Sequence, residues 1–257
     1  MDDPKPIVQL RQLGKRFEKG QDVLSDIDLN VKEGEFISFV GPSGCGKSTL
    51  LRLLAGLTPV SEGSLLIDGE TPSEPRDDLY LVFQEANLLP WARVRENVEL
   101  PLKLQGKTKE ERQAVADSMV ELVGLQDAVE RFPRQLSGGM RMRVSIARAL
   151  SVSPRILLLD EPFGALDAIT RNQLNEDLLR IREKDPFTGF FVTHSVAEAV
   201  FLSNRIVVLD SNPGRITDII DVPHPYPRTA EFRETSEYFD LLTRTSKALR
   251  QQKGTDE

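Results

Sequence analysis

Gly41-Pro42-Ser43-Gly44-Cys45-Gly46-Lys47-Ser48-Thr49 is the most informative stretch of this 257-residue chain. It fits G-x-x-x-x-G-K-[ST] and stands between an apolar run ending at Val40 and a leucine-rich run from Leu50 to Leu57, so it reads as a turn from a strand into a helix. Its glycines let the backbone curl until several N–H groups face one phosphate, and the start of the next helix adds positive partial charge. In that reading Lys47 reaches the β- and γ-phosphates and the Ser48 hydroxyl ligates Mg²⁺, with Gly41 to Thr49 enclosing the phosphates of a nucleotide.

Downstream, Ile156 to Leu159 is an all-apolar strand that ends in Asp160-Glu161. A buried strand brings Asp160 to the carboxyl edge of a sheet, beside the phosphate loop, where it holds Mg²⁺ through water. Glu161 then polarises the attacking water.

Around these two points short β-rich runs alternate with longer helical ones, the pattern of an α/β domain. Strands are expected at Ile7–Leu13, Asp26–Val31, Glu35–Val40, Ser64–Ile67, Leu79–Phe83, Arg155–Leu159, Gly189–Thr193 and Arg205–Leu209, the early ones antiparallel and the later ones parallel and buried. Strand signals vanish between Leu88 and Leu136, where Thr108 with Glu111 forms a capping box and Gly124 ends a helix, so a helical subdomain is inserted over about 88–150. Further helices are expected from Thr170 to about Lys184 and from Ser195, the latter with Glu198 as a second capping box. Pro and Gly residues from Pro213 to Pro227 lead into a charged helical tail, Glu231 to Gln252.

Composition narrows the class. The charge is 33 − 40 = −7 and hydrophobic residues are 39%, values of a globular chain without general affinity for nucleic acid. The longest apolar runs are far shorter than the ~18 to 20 residues that cross a bilayer, and Met1 to Pro6 lacks the pattern of a secretory signal. The single Cys45 permits no internal disulfide, as expected of a reducing compartment. Lying in the phosphate cradle, where N–H dipoles favour a thiolate, it is either a reactive thiol shielded by nucleotide or an inert small residue.

Leu136-Ser137-Gly138-Gly139-Met140 makes the reading specific. A serine and two glycines at the start of a helix, Met140 to Leu150, form a second anion site with no lysine. One nucleotide needs only one cradle, so the second serves a nucleotide held by another chain. Here the sequence resembles the ATP-binding cassette (ABC) ATPases over roughly Val8 to Leu209. The resemblance implies a P-loop NTPase fold with a RecA-like core sheet, an antiparallel β subdomain and the helical insert, over residues 1–215, with 216–257 as a C-terminal extension. It also implies roles: Phe17 for the aromatic that stacks on adenine, Gln84 for the glutamine that contacts Mg²⁺ or the lytic water, and Ser137, Gly138 and Gly139 for the signature. Asp167, in Gly164-Ala-Leu-Asp167, corresponds to the interface aspartate and His194 to the switch histidine at the γ-phosphate. Met140 and Met142 stand where the family commonly has glutamines, and Phe17 where it commonly has tyrosine.

Within the family, Gln84 to Trp91, Arg95 to Val98 and Asn212-Pro-Gly-Arg215 look most like the nitrate, sulfonate and taurine importer ATPases. That resemblance implies Mg-ATP hydrolysis, a second cassette that makes a homodimer, two transmembrane permease subunits, a periplasmic binding protein, and a place at the cytoplasmic face of the plasma membrane. The apolar cluster Leu88 to Trp91 is a permease docking surface or part of the helical core. A lipid or other-substrate transporter and a soluble ABC ATPase are the alternatives.

Overall fold

A computed structural model describes residues 5–17, 20–72, 74–164 and 166–251. The strands with near-continuous apolar sequence are β3 (Phe36–Val40), β5 (Leu79–Val82), β6 (Ile156–Asp160), β7 (Thr188–Val192) and β8 (Arg205–Leu209). They lie parallel in one sheet of order β5-β6-β7-β3-β8-β9, where β9 (Ile216–Asp221) runs antiparallel at the edge. Parallel strands covered on both faces need apolar residues at every position, and alternate residues here enter two different cores. Phe36, Val40, Leu157, Leu159 and Phe191 join the core against the later helices; Ile37, Phe39, Ile156, Leu158 and Phe190 join the other. Gly189 makes this possible, because a Cβ there would lie 2.3 Å from the Phe36 ring.

The second core is closed by α1 (Lys47–Leu54) and by an antiparallel sheet of order β2-β1-β4, formed by β1 (Val8–Arg16), β2 (Asp22–Val31) and β4 (Glu62–Ile67). The insert comprises α2 (Val94–Leu104), α3 (Lys109–Leu122) and α4 (Gly138–Leu150). Thr108 and Glu111 form their capping box, and Gly124, at φ +67°, follows the end of α3. α2 has no counterpart in the expected elements: Pro101 lies inside it, buried, where a proline normally argues against a helix.

Several boundaries shift for local reasons. α4 starts at Gly138 because Ser137 is its N-cap, and α5 (Ala168–Lys184) starts two residues early because Asp167 caps it. α6 (Val196–Leu202) is opened by Ser195, whose hydroxyl accepts from the Glu198 amide at 3.3 Å. The expected second half of that capping box is absent: the Ser195 amide donates to Thr193 Oγ1 at 2.9 Å, and the Glu198 carboxylate accepts from that same hydroxyl.

The expected division after residue 215 separates strands that the structure joins. β9 pairs with β8 from Arg205↔Asp221 to Leu209↔Ile216, so 216–221 complete the main sheet. The expected single tail helix is a 3₁₀ turn, Ala230–Glu234, followed by α7 (Ser236–Gln251), and Gln252 lies outside the described residues. Arg228, 3% exposed, binds this tail to α6 by donating to the carbonyls of Val200, Phe201 and Ser203, which otherwise end the helix unpaired.

Candidate active site

The sheet order places the expected groups side by side. β6, β7 and β3 are adjacent and parallel, with Asp160↔Val192 and Phe39↔Val192 in register, so the segments that leave these strands emerge at the same carboxyl edge. Those segments carry Glu161, His194 and the loop from Gly41. Ser43, Gly44, Gly46, Lys47, Ser48, Thr49, Glu161 and His194 line one cleft of about 360 Å³, joined by Val23 of β2.

The loop is held from behind. A Cβ on Gly41 would lie 2.5 Å from the Leu209 carbonyl, and one on Gly214 would lie 2.0 Å from the Cys45 carbonyl, so the connection between β8 and β9 presses directly on the loop backbone. Lys47 Nζ donates to the carbonyls of Gly41 and Pro42 at 2.9 and 2.8 Å, which holds the ammonium over the loop at 5% exposure.

Ser48 Oγ donates to Asp160 Oδ1 at 2.8 Å. Burial raises the Asp160 carboxyl above its ordinary value, against the lowering effect of the Ser48 bond. A hydroxyl and a carboxylate are hard oxygen donors, and among the described residues no three His, Cys, Asp or Glu side chains form a metal cage. A cation held by few protein oxygens and completed by phosphates suits such a pair.

Glu161 has φ +47°, a left-handed backbone that a non-glycine residue rarely adopts. Its amide donates to the Val192 carbonyl at 3.0 Å, and its Oε1 lies 2.6 Å from His194 Nε2. Locally unfavourable backbone is therefore spent on turning the carboxylate toward the histidine and the cleft.

Other expected groups lie elsewhere in the chain. Gln84, after β5, lines a second cleft with Gly138, Pro162 and Leu166. Ser137, its hydroxyl accepting from the Met140 amide at 3.2 Å, and Gly138 are exposed, while Gly139 is buried with its Cβ position 3.2 Å from Thr170 Cγ2. None of these lines the phosphate-loop cleft. Asp167 is exposed and accepts from the Ile169 and Thr170 amides and from the Thr170 hydroxyl, which hold its carboxyl below the ordinary range. The Phe17 ring is 45% exposed, with Lys15 Nζ 5.0 Å from its centre. Met142 is buried in the helical core and Met140 packs against it, so these positions contribute packing where glutamines would have hydrogen-bonded.

The Cys45 expectation is overturned in one respect. The thiol is 1% exposed and does not line the cleft, and burial raises it above its ordinary value more than Lys47 lowers it. The cradle amides do not activate it.

Three supporting sets of contacts are not among the sequence expectations. Arg148 of α4 donates to the carbonyls of Ala86 and Asn87 at 3.1 and 2.9 Å, tying the segment after Gln84 to the helix that Ser137 begins. Asn97, fully buried, receives the Leu89 amide at 2.8 Å and donates to the carbonyls of Leu89, Ala92 and Arg93. The turn it fixes presents Trp91 at 72% exposure, so this tryptophan is not part of the helical core. Arg171 and Glu198 form the third set.

Comparisons with known proteins bear on the fold and the family. Residues 24–164 match the family model described as ABC transporter. The chain is 46% identical over 90% of its length to the nitrate import ATP-binding protein NrtC of Synechococcus elongatus, and 48% identical over 90% to the bicarbonate transport ATP-binding protein CmpC of the same species. It spans only 36% and 35% of those two proteins. An uncharacterized ABC transporter ATP-binding protein of Methanocaldococcus jannaschii is 49% identical, with 91% of this chain and 90% of that protein aligned. Among solved structures, a dimeric ATP-binding cassette in a post-hydrolysis state with ADP and Pi superimposes with TM-score 0.75 at 35% identity, covering 85% of this chain and all of that one. No helix among the described residues is long and apolar enough to cross a membrane.

Proposed function

The chain belongs to the ABC transporter ATPase family, and from that premise we propose that it works as one half of an ATP-driven pair of cassettes serving an importer of small anions. The observation that carries the pairing is the separation of the two anion sites: the phosphate loop and the Ser137 helix start open on different clefts of one chain. A second copy, placed head to tail, would bring its own Ser137, Gly138 and Gly139 onto the nucleotide held by Lys47.

In this reading the loop amides and Lys47 hold the phosphates, with Phe17 against the adenine. Ser48 and Asp160, with Gln84 brought in from the neighbouring cleft, would hold Mg²⁺, which neutralises phosphate charge when bound. Glu161 orients and polarises water for in-line attack, and His194, already in contact with Glu161, donates toward the γ-phosphate. Asp167 faces the partner cassette. Hydrolysis then removes the group that both halves grip, and the pair opens.

Two permease subunits would sit on the turn that Asn97 fixes, with Trp91 as the exposed apolar anchor, and would hold the chain at the cytoplasmic face of the plasma membrane. The similarity to nitrate and bicarbonate proteins favours an inorganic or sulfonate anion delivered by a periplasmic binding protein. The test is uptake of labelled nitrate, bicarbonate and taurine by vesicles carrying the chain with its permease. Uptake of one of them that is lost with Trp91→Asp, while the isolated chain keeps its ATPase rate, supports the reading. Anion uptake unaffected by Trp91→Asp contradicts the docking surface, and export or lipid flipping contradicts the importer.

A further inference from the structure

Behind the cleft, α5 and α6 meet at an ion pair between a half-buried arginine and a buried glutamate that none of the steps above uses. Arg171 stands in the first turn of α5, where Nη2 donates to the Leu166 carbonyl at 2.8 Å and Nε faces Glu198 Oε1 at 3.4 Å. Glu198, 3% exposed in the first turn of α6, accepts from the Thr193 hydroxyl. That hydroxyl in turn accepts from the Ser195 amide at 2.9 Å. The residues on either side of His194 are thus fixed by Glu198, and the loop that carries Asp167 is fixed by Arg171.

Arg171 Nε and Glu198 Oε1 are both buried, and neither has a hydrogen-bond partner. The charges face each other without alignment, so a small rotation of one helix against the other would close them into a charge-assisted hydrogen bond. A buried carboxylate left in this condition costs stability that an apolar side chain would not. Its geometry suits a contact with two arrangements, which is what coupling between sites requires.

We propose that Arg171 and Glu198 are positioning residues that link the Asp167 loop to His194, so that docking of a second copy against Asp167 sets the orientation of the histidine at the γ-phosphate. This rests on the cassette pairing proposed above. Through this link each site senses whether its partner is in place before hydrolysis proceeds.

The test uses the purified full chain with Mg-ATP. Removing one charge alone endangers folding, so the informative variants are Arg171→Lys, which keeps the charge but not the fork, and the double exchange Arg171→Met with Glu198→Leu, which keeps the volume apolar. For both, the expected result is ATP affinity within about twofold of the parent, kcat lowered about ten- to hundredfold, and a Hill coefficient for ATP falling from about 2 toward 1. Parental kcat and Hill coefficient in either folded variant overturn the link, as does an effect confined to KM. His194→Ala, measured alongside, separates the two readings. If it hydrolyses ATP at the parental rate, the role given to His194 fails, whereas loss of activity in His194→Ala with unaffected link variants contradicts only the link.

Discussion

At the scale of single residues, the site contains groups arranged for chemistry at some cost to stability. Asp160 shows it most clearly. Burial raises its carboxyl above 3.8, the ordinary value, so the folded chain holds that proton more tightly than the unfolded chain does. The folded state is then penalised increasingly as pH rises above the ordinary aspartate value. Asp160→Asn is expected to raise the melting temperature of the protein without nucleotide at pH 7 by about 1–3 °C and to abolish Mg-ATP hydrolysis. A calorimetric scan showing a lower melting temperature refutes the electrostatic argument. Cys45 makes the opposite case, a residue inside the motif with no chemistry of its own. With its thiol raised and 1% exposed, alkylation by iodoacetamide at pH 7.5 should run at least about tenfold slower than in the urea-unfolded chain. Native-state labelling at the unfolded rate would mean the thiol is open to solvent.

At the scale of elements, the strands and the loops at their ends were the most legible part of the sequence. The apolar runs at β3, β6, β7 and β8 lie within a residue or so of their expected limits, because strands buried on both faces admit few polar residues. β9 was not legible: its sequence ITDIID carries aspartates and follows Asn212-Pro-Gly, and edge pairing with β8 outweighs those local signals. α2 was hidden by Pro101. The Glu198 capping box failed because Glu198 had a better partner in a residue outside its own helix, and no local pattern announces such a contact. The same limit hid Asn97, whose four hydrogen bonds rigidify the turn carrying Trp91. Asn97→Ala leaves those groups unpaired in the interior and should cost about 2–4 kcal/mol in a urea melt. A cost under about 0.5 kcal/mol would mean that the turn holds its shape without the asparagine.

At the scale of the whole molecule, the sequence named the groups and set Asp160 beside the phosphate loop, but it did not give the order of the strands that carry them. Lys47, Ser48, Asp160, Glu161 and His194 are drawn together because β3, β6 and β7 are neighbours, and that strand order is the part that the sequence left unread. Gln84 and Gly138 share a different cleft, and Ser137 caps the helix that begins there. The chain therefore carries the two groups of expected site residues on separate clefts, and the described tail is strapped to α6 by Arg228. Two copies are what would bring the two groups together. The most direct measurement is gel filtration of Glu161→Gln with Mg-ATP beside an assay of its turnover. Binding without hydrolysis should trap the pair, giving a dimer with ATP, a monomer without it, and turnover at least about a hundredfold below the parent. A monomer under both conditions, together with parental turnover, would mean that neither the base nor the pairing is as proposed.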